Sequence, residues 1–211
     1  AGAADPRWVP SRERRALGRE AVAGLGAQPK PAALAAWAAE CEEKDHAETP
    51  TEAYADIVHI LDAIARGLSL SRAELRIYDP YFCSGACKDR LRSLGFHRVF
   101  NEPRDCYKAF REGTVPEHDC LLTNPPYSSD HVERLCRYLA RSERPFLLCL
   151  PTFFARKRYF AAALGPAVAS AVWFAVPSAR RYAYTTPFSP AYDATSPFPS
   201  AWAVHAPGLP E

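Results

Sequence analysis

Residues 121 to 129 read LLTNPPYSS, an apolar run that stops at two consecutive prolines, with Asn124 in front of them and Tyr127 behind. Proline has no N–H to give to a strand ladder and a nearly fixed φ, so Pro125 and Pro126 must end a strand and leave rigid carbonyls facing outward. A planar group bearing an NH2 could then donate one hydrogen to the Asn124 side-chain oxygen and the other to the Pro125 carbonyl, with the Tyr127 ring stacked on its face. Such a grip orients a nitrogen lone pair toward an electrophile. A second set of residues follows another apolar run. In DPYFCSG, Asp79 stands at the end of the run and Gly85 at the turn into a helical pattern, where a missing Cβ lets backbone approach a ligand closely. A third run is followed by Asn101, Glu102 and Asp105, which suit hydroxyls and an amino group better than phosphates; Asp105 also fits a helix N-cap. The full G-x-G-x-x-G of a dinucleotide site is missing.

The elements that must position these residues alternate. ELRIYDP, HRVFN, HDCLLTNPP and PFLLCLP are strand-like, and KDRLRSLG, RDCYKAFREG, SDHVERLCRYLARS and ARKRYFAAALG between and after them are helical. This alternation predicts an α/β fold, a mostly parallel sheet with helices on both faces, whose ligands sit beyond the carboxyl ends of the strands. AVWFAVP and SAWAVHA, separated by a Pro-, Ser- and Tyr-rich stretch from Arg180 to Pro199, predict a hairpin-like closure of the sheet with a functional loop. Upstream, ETPTEAYADIVHILDAIARGL offers Thr49 as N-cap, Pro50 at the first helical position and Glu52 at the third, with Ile57, Ile60, Leu61 and Ile64 at helical spacing and Gly67 as the stop. Residues 1–45 read as an Ala-rich, charged helical extension and 46–211 as one domain, a size that buries a full core.

These motifs together resemble those of S-adenosylmethionine-dependent amino methyltransferases. TNPPY resembles their (Asn/Asp)-Pro-Pro-(Tyr/Phe/Trp) motif, and DPYFCSGACKDRLRSLG resembles their cofactor loop, usually Asp-Pro-Phe-x-Gly-Ser-Gly. Asp79, Pro80, Ser84 and Gly85 match that loop, while Cys83 replaces its first glycine. ETPTEAYADI resembles the Thr-Pro motif that some members place before the cofactor strand, and EPRDCY the acidic-aromatic turn at the cofactor's adenine. The resemblance implies a Rossmann-like class I methyltransferase with a seven-stranded sheet and an antiparallel late strand. It implies S-adenosyl-L-methionine as cofactor, with Asp79 facing its ammonium, Thr49 and Pro50 near its carboxylate, Pro80, Tyr81, Ser84 and Gly85 in its loop, Asn101 or Glu102 at its ribose and Asp105 at its adenine. Asn124, Pro125, Pro126 and Tyr127 become the catalytic set.

Substrate is the open question. With 26 basic and 24 acidic residues the chain has no global field that argues for nucleic acid, so any basic surface must be local. Two clusters interleave basic and aromatic residues: ARKRYF (Arg156, Lys157, Arg158) and ARRYAY (Arg180, Arg181, Tyr182, Tyr184), the second expected to face substrate. They favour an exocyclic amino group of a nucleic acid base, adenine-N6 in RNA or DNA first. The alternatives are a protein glutamine amide, since Asn at position 124 is shared with that type, and a silent methyltransferase fold acting as a binding or scaffold subunit, which the Cys83 substitution favours. A partner subunit could supply target recognition. The seven cysteines, several inside apolar runs, fit free thiols in a reducing intracellular compartment. Cys83 and Cys87 have the spacing of half a metal site without a second pair, and the histidines are scattered, so no metal is expected. No apolar run is long enough to span a bilayer. The absence of methionine suggests a processed or trimmed piece, whose Arg- and Ala-rich start reads equally as a targeting remnant or a helix.

Overall fold

A computed structural model describes residues 45–177, 181–187 and 198–208. The helical extension expected over residues 1–45, save its last residue, lies outside them, as does Arg180. Six strands form one sheet: β1 (Arg76–Tyr78), β2 (Arg98–Phe100), β3 (Cys120–Thr123), β4 (Phe146–Pro151), β5 (Trp173–Ala175) and β6 (Ser200–His205). Their order is β2-β1-β3-β4-β6-β5. The first four are parallel neighbours, and β6 runs antiparallel to both β4 and β5, so the late hairpin closes the sheet as its sequence implied. The seven strands expected from the resemblance are six among the described residues.

The helices are α1 (Thr51–Ala55), α2 (Val58–Gly67), α3 (Ala86–Ser93), α4 (Cys106–Glu112), α5 (His131–Leu139) and α6 (Arg158–Ser170), with a short 3-10 turn at Thr152–Arg156. They cover both faces of the sheet, and the strand period of two decides which residue meets which layer. Leu147 and Cys149 of β4 join Trp202 and Val204 of β6 in a core with residues of α1, α2 and α3, including Tyr54, Ile60, Leu61 and Leu91. Their neighbours Phe146, Leu148 and Leu150 point the other way, into a core with Val132, Leu135, Cys136 and Leu139 of α5 and Phe160 and Leu164 of α6. The α5 set recurs at i, i+3, i+4 and i+7, one stripe of the helix. Strands β3, β4 and β6 are buried at every position, which is why they read as continuous apolar runs rather than alternating ones.

Two local expectations change. Helix α1 starts one residue later than its capping pattern suggested: Pro50 is the residue before the helix, and no side chain caps it, because Thr49 is buried against α3 and its carbonyl accepts from Arg90. A turn at Asp56 and Ile57 then divides the predicted single helix into α1 and α2. Strand β3 does stop at Thr123, directly before Asn124 and the prolines. At the opposite end of the sheet Arg76 makes a two-pronged pair with Asp119, at 2.6 and 3.0 Å, locking the starts of β1 and β3 together.

Leu122 has no exposed surface and lies in the core between sheet and α1–α3. Leu122→Ala is expected to cost about 2–5 kcal/mol through lost transfer energy and a cavity. Val176→Ala, at a side chain 61% exposed, should change stability by less than about 0.5 kcal/mol. Urea unfolding midpoints with an unchanged slope check both.

Candidate active site

The carboxyl ends of β1, β2 and β3 converge on one buried group. Asp79, just past β1, is 5% exposed. Its Oδ1 accepts from the Thr123 hydroxyl at 2.6 Å and from the Tyr81 N–H at 3.1 Å. Its backbone N–H donates to the Phe100 carbonyl at the end of β2, 2.9 Å away. Burial pushes its pKa up from 3.8 to about 7, against the pull of the hydrogen bonds from Thr123 and Tyr81. Asn101 does not stand ready for a ribose. It is fully buried beneath the loop, where its Nδ2 donates to the carbonyls of Asp79 and Tyr81 at 3.2 Å each, and its Oδ1 has no partner among the described residues. Its role is to hold the loop after β1.

That loop turns sharply. The Gly85 N–H donates back to the Phe82 carbonyl at 2.8 Å, and Gly85 has φ +88° as it opens α3. A Cβ on Gly85 would lie 2.9 Å from the Phe82 ring, so both the backbone angle and the space require glycine. Cys83, the residue that replaces a glycine in the resembled loop, has φ +41°. The chain keeps a left-handed conformation there despite its side chain, at a cost of about 1–2 kcal/mol. Pro80 and Tyr81 are buried; the Tyr81 hydroxyl meets that of Tyr107 at 3.1 Å, which in turn meets His131 Nδ1 at 2.5 Å.

After β3, Pro125 and Pro126 are buried and Asn124 is half-buried. Asn124 Nδ2 donates to the Ala47 carbonyl at 3.2 Å. The Tyr127 hydroxyl reaches Asn124 Oδ1 at 2.5 Å and the Cys149 carbonyl at 3.0 Å, and the ring packs 5.8 Å from Phe154. Tyr127 was expected to present its ring to a substrate; here it lies back against the domain and occupies the asparagine oxygen.

Residues 45–49 lie across both loops, a role their sequence did not reveal. Asp45 accepts from the backbone N–H groups of Tyr127 and Ser128 at 3.2 and 3.3 Å, and from the Ser128 hydroxyl. Glu48 accepts from the Ser84 N–H at 2.8 Å and its hydroxyl at 2.5 Å, and pairs with Arg90 at 3.4 Å. The only visible signal was their adjacency to Thr49 and Pro50, both buried beside them. Asp45, Glu48, Asp79, Tyr54, Cys83 and Asn124 enclose a space of about 20 Å³, room for one water. Beside it, past the end of β2, a pocket of about 340 Å³ is lined by Tyr78, Pro80, Phe100, Glu102 and Asp105. Glu102 is exposed and pairs with Arg104 at 3.2 Å, while Asp105 caps α4 by accepting from the Lys108 N–H at 3.0 Å.

The two tyrosines of the cluster expected to face substrate present no surface to it. Tyr182 and Tyr184 are 3% and 6% exposed, two residues apart on an extended segment, and both point into the core. Tyr182 donates to Asp56 at 2.9 Å and Tyr184 to Ser200 at 2.8 Å. Arg181 is exposed. The segment bridges back to the site through Thr185, whose carbonyl accepts from the Glu48 N–H at 2.7 Å. Among the described residues no three His, Cys, Asp or Glu side chains are placed to hold a metal, and no helix is long and apolar enough to cross a membrane. The six cysteines described are free thiols.

Compared with known proteins, the chain matches no family model, no curated protein and no solved structure.

A carboxyl whose folded pKa lies above its ordinary value contributes stability that is full at low pH and lost as the pH rises through the folded value. The wild-type chain should therefore lose stability between about pH 4 and pH 7 relative to Asp79→Asn, which keeps an acceptor for Thr123 and Tyr81. Urea midpoints across that range should diverge and then run parallel; constant separation refutes a buried, proton-binding Asp79. At the turn, Cys83→Gly should leave stability within about 1 kcal/mol, because relief of the left-handed strain offsets added unfolded-chain freedom. Gly85→Ala should destabilise by more than about 1 kcal/mol, through the Phe82 contact as well as the backbone angle. Thermal melts of the two variants rank them.

Proposed function

We propose that this chain is an S-adenosylmethionine-dependent methyltransferase of the Rossmann-like class I type that modifies an exocyclic amino nitrogen, first among candidates adenine-N6 in RNA or DNA. The observation that carries the proposal is the Thr123–Asp79 hydrogen bond, which brings the TNPPY and DPYFCSG loops together at the carboxyl ends of neighbouring parallel strands. The residues present fit such a cofactor in kind. Asp79 gives the space behind residues 45–49 a carboxyl that can face a cation, and the turn that ends at Gly85 shapes the loop lining it through Tyr81, Phe82 and Cys83. The pocket past β2 has aromatic walls from Tyr78 and Phe100, acids at Glu102 and Asp105 beside the bases Arg104 and Lys108, and the size of a small-molecule site.

When bound, the cofactor supplies an electrophilic methyl group on a sulfonium, so the protein needs to contribute alignment and electrostatics more than a base. Asp79 balances positive charge, and Thr49 borders the same space, with Pro50 next to it in the chain. Glu102 offers acceptors to hydroxyls, and the Asp105 side chain, in its N-cap, stands at the rim of the nucleoside pocket. On the other side, Asn124 Oδ1 and the Pro125 carbonyl hold the two N–H protons of the acceptor amine. They stabilise positive charge as it develops on that nitrogen, and the surplus proton leaves afterwards to water. Protein glutamine remains the second substrate class of the same chemistry. A silent binding subunit is favoured by one observation: the space beside Asp79 admits about one water while Glu48 and Asp45 stay in place.

Incubation with methyl-tritiated cofactor and whole-cell extract should place label in nuclease-sensitive material; label in protease-sensitive material selects the glutamine reading. Asn124→Ala should lower transfer by at least about a hundredfold while calorimetry still detects cofactor binding. Retained turnover overturns the role of Asn124, and absent cofactor binding in the wild-type chain overturns the methyltransferase reading.

A further inference from the structure

Between α4 and α5 runs a groove lined by five arginines: Arg111, Arg134, Arg137, Arg141 and Arg144. No lysine joins them. Of the acids close by, Asp130 lies 3.8 Å from Arg134, Glu133 pairs with Arg137 at 2.6 Å and Glu112 lies 4.0 Å from Lys108, while Glu143 stands exposed beside Arg144. The guanidinium groups of Arg111, Arg141 and Arg144 have no carboxylate partner among the described residues, and all three side chains are exposed. In a chain whose formal charge is only +2, this is a concentration of positive charge on one face. Aromatic faces lie among the charges. Phe110 and Tyr138 stack at 3.9 Å, and the Arg134 guanidinium sits 3.5 Å over the ring of Tyr107. Tyr107 is also the residue whose hydroxyl meets Tyr81 of the cofactor-type loop.

We infer that this groove holds the phosphate backbone of a single-stranded nucleic acid along the helical face of the domain, from Arg134 down to Arg144 at the edge where the strands start. Guanidinium forks match phosphate oxygens two at a time, and the choice of arginine at all five positions suits that recognition. Arg134 and Arg137 stand at i and i+3 on α5, and Arg141 and Arg144 follow in the turn after it, so charge continues past the end of the helix. Tyr107 is buried beneath Arg134, but the half-buried Phe110–Tyr138 stack reaches the groove and gives a base an aromatic neighbour, which a purely acidic peptide would leave unused. The groove, rather than the buried Tyr182 and Tyr184, thus supplies the basic-aromatic surface. It rests on the methyltransferase reading only for what is done to the strand, since the binding itself needs no cofactor.

Fluorescence anisotropy with labelled single-stranded oligouridine and oligothymidine tests the groove on the full chain. The double variant Arg141→Glu/Arg144→Glu should weaken binding by at least about tenfold and flatten the plot of log affinity against log salt by about 1.4, the value for two lost phosphate contacts. Arg141→Lys/Arg144→Lys should retain most of the affinity, and the exposed Arg66→Glu on α2 should retain all of it. Equal affinity of wild type and the charge-reversed double variant overturns the inference, as does wild-type binding to polyglutamate as tight as to the oligonucleotides. Circular dichroism establishes that the variants are folded; should the double variant not fold, Arg144→Glu alone is read against Arg66→Glu. Cofactor calorimetry on the same preparations separates the two ideas: oligonucleotide binding without cofactor binding sinks the methyltransferase reading and leaves the groove standing, and the reverse sinks the groove alone.

Discussion

A buried carboxyl is costly unless hydrogen bonds replace its water, and Asp79 draws on different elements for them: the Tyr81 N–H inside its own turn, the Thr123 hydroxyl at the end of β3 and the Cys87 thiol on α3. Asn101, just past β2, then ties down the carbonyls of Asp79 and Tyr81. Three adjacent strand ends are therefore joined through one residue. Because each donor is fixed by its own element, the spacing between the DPYFCSG and TNPPY loops is set by backbone and buried side chains, the kind of support that keeps a site's geometry from drifting. Burial outweighs these bonds and holds the Asp79 carboxyl above its usual range, and a positive charge beside it would favour its ionised form.

The sheet places that junction at its edge of polar residues through a simple division of labour. Arg76 and Asp119 clamp the starts of β1 and β3, while the buried middles of β3 and β4 pack both helical layers. The strands cannot slide by one residue without turning Leu147 and Cys149 from one core into the other. Register is thereby held from both ends, and the chemistry-bearing residues are left to the turn where the ladder stops.

The parts that were legible in the sequence are those where one force dominates. Strands β3, β4 and β6 were readable because full burial demands continuous apolar residues, and α5 because its stripe follows the helical period. The stop at Thr123 was readable because proline lacks the donor a strand needs. Where two forces compete, the sequence was ambiguous. Tyr182 and Tyr184 sit in a basic-aromatic pattern that suits a binding surface, yet spacing by two on an extended segment suits a core equally, and burial decided. Asn101 is polar and follows a strand, the position of a ligand contact, but its amide satisfies two carbonyls under the loop. Glu48 looks like any surface acid until the fold brings Ser84 and Arg90 to it from more than thirty residues away. The groove between α4 and α5 was hidden because its arginines come from two helices and a turn, none of which is strongly basic when read alone.

The two sides of the site are held shut with unequal strength. On the substrate side, Asn124 Oδ1 accepts from Tyr127, but that hydroxyl has a second acceptor in the Cys149 carbonyl 3.0 Å away. Turning the O–H toward Cys149 frees the asparagine oxygen for an incoming amine with no movement of the ring, and one hydrogen bond replaces another at little net cost. On the cofactor side, Glu48 has charge-assisted bonds to the Ser84 N–H and hydroxyl and to Arg90, and Asp45 is bound to Tyr127 and Ser128. Clearing the space beside Asp79 means breaking several such bonds together, each stronger than a neutral one. Under the proposed chemistry the acceptor pocket is thus ready before the donor pocket, and withdrawal of residues 45–49 becomes the step that admits the cofactor. The bridge between Glu48 and Thr185 also ties residues 45–49 to the segment carrying Tyr182 and Tyr184, so these residues are held from the late part of the chain as well.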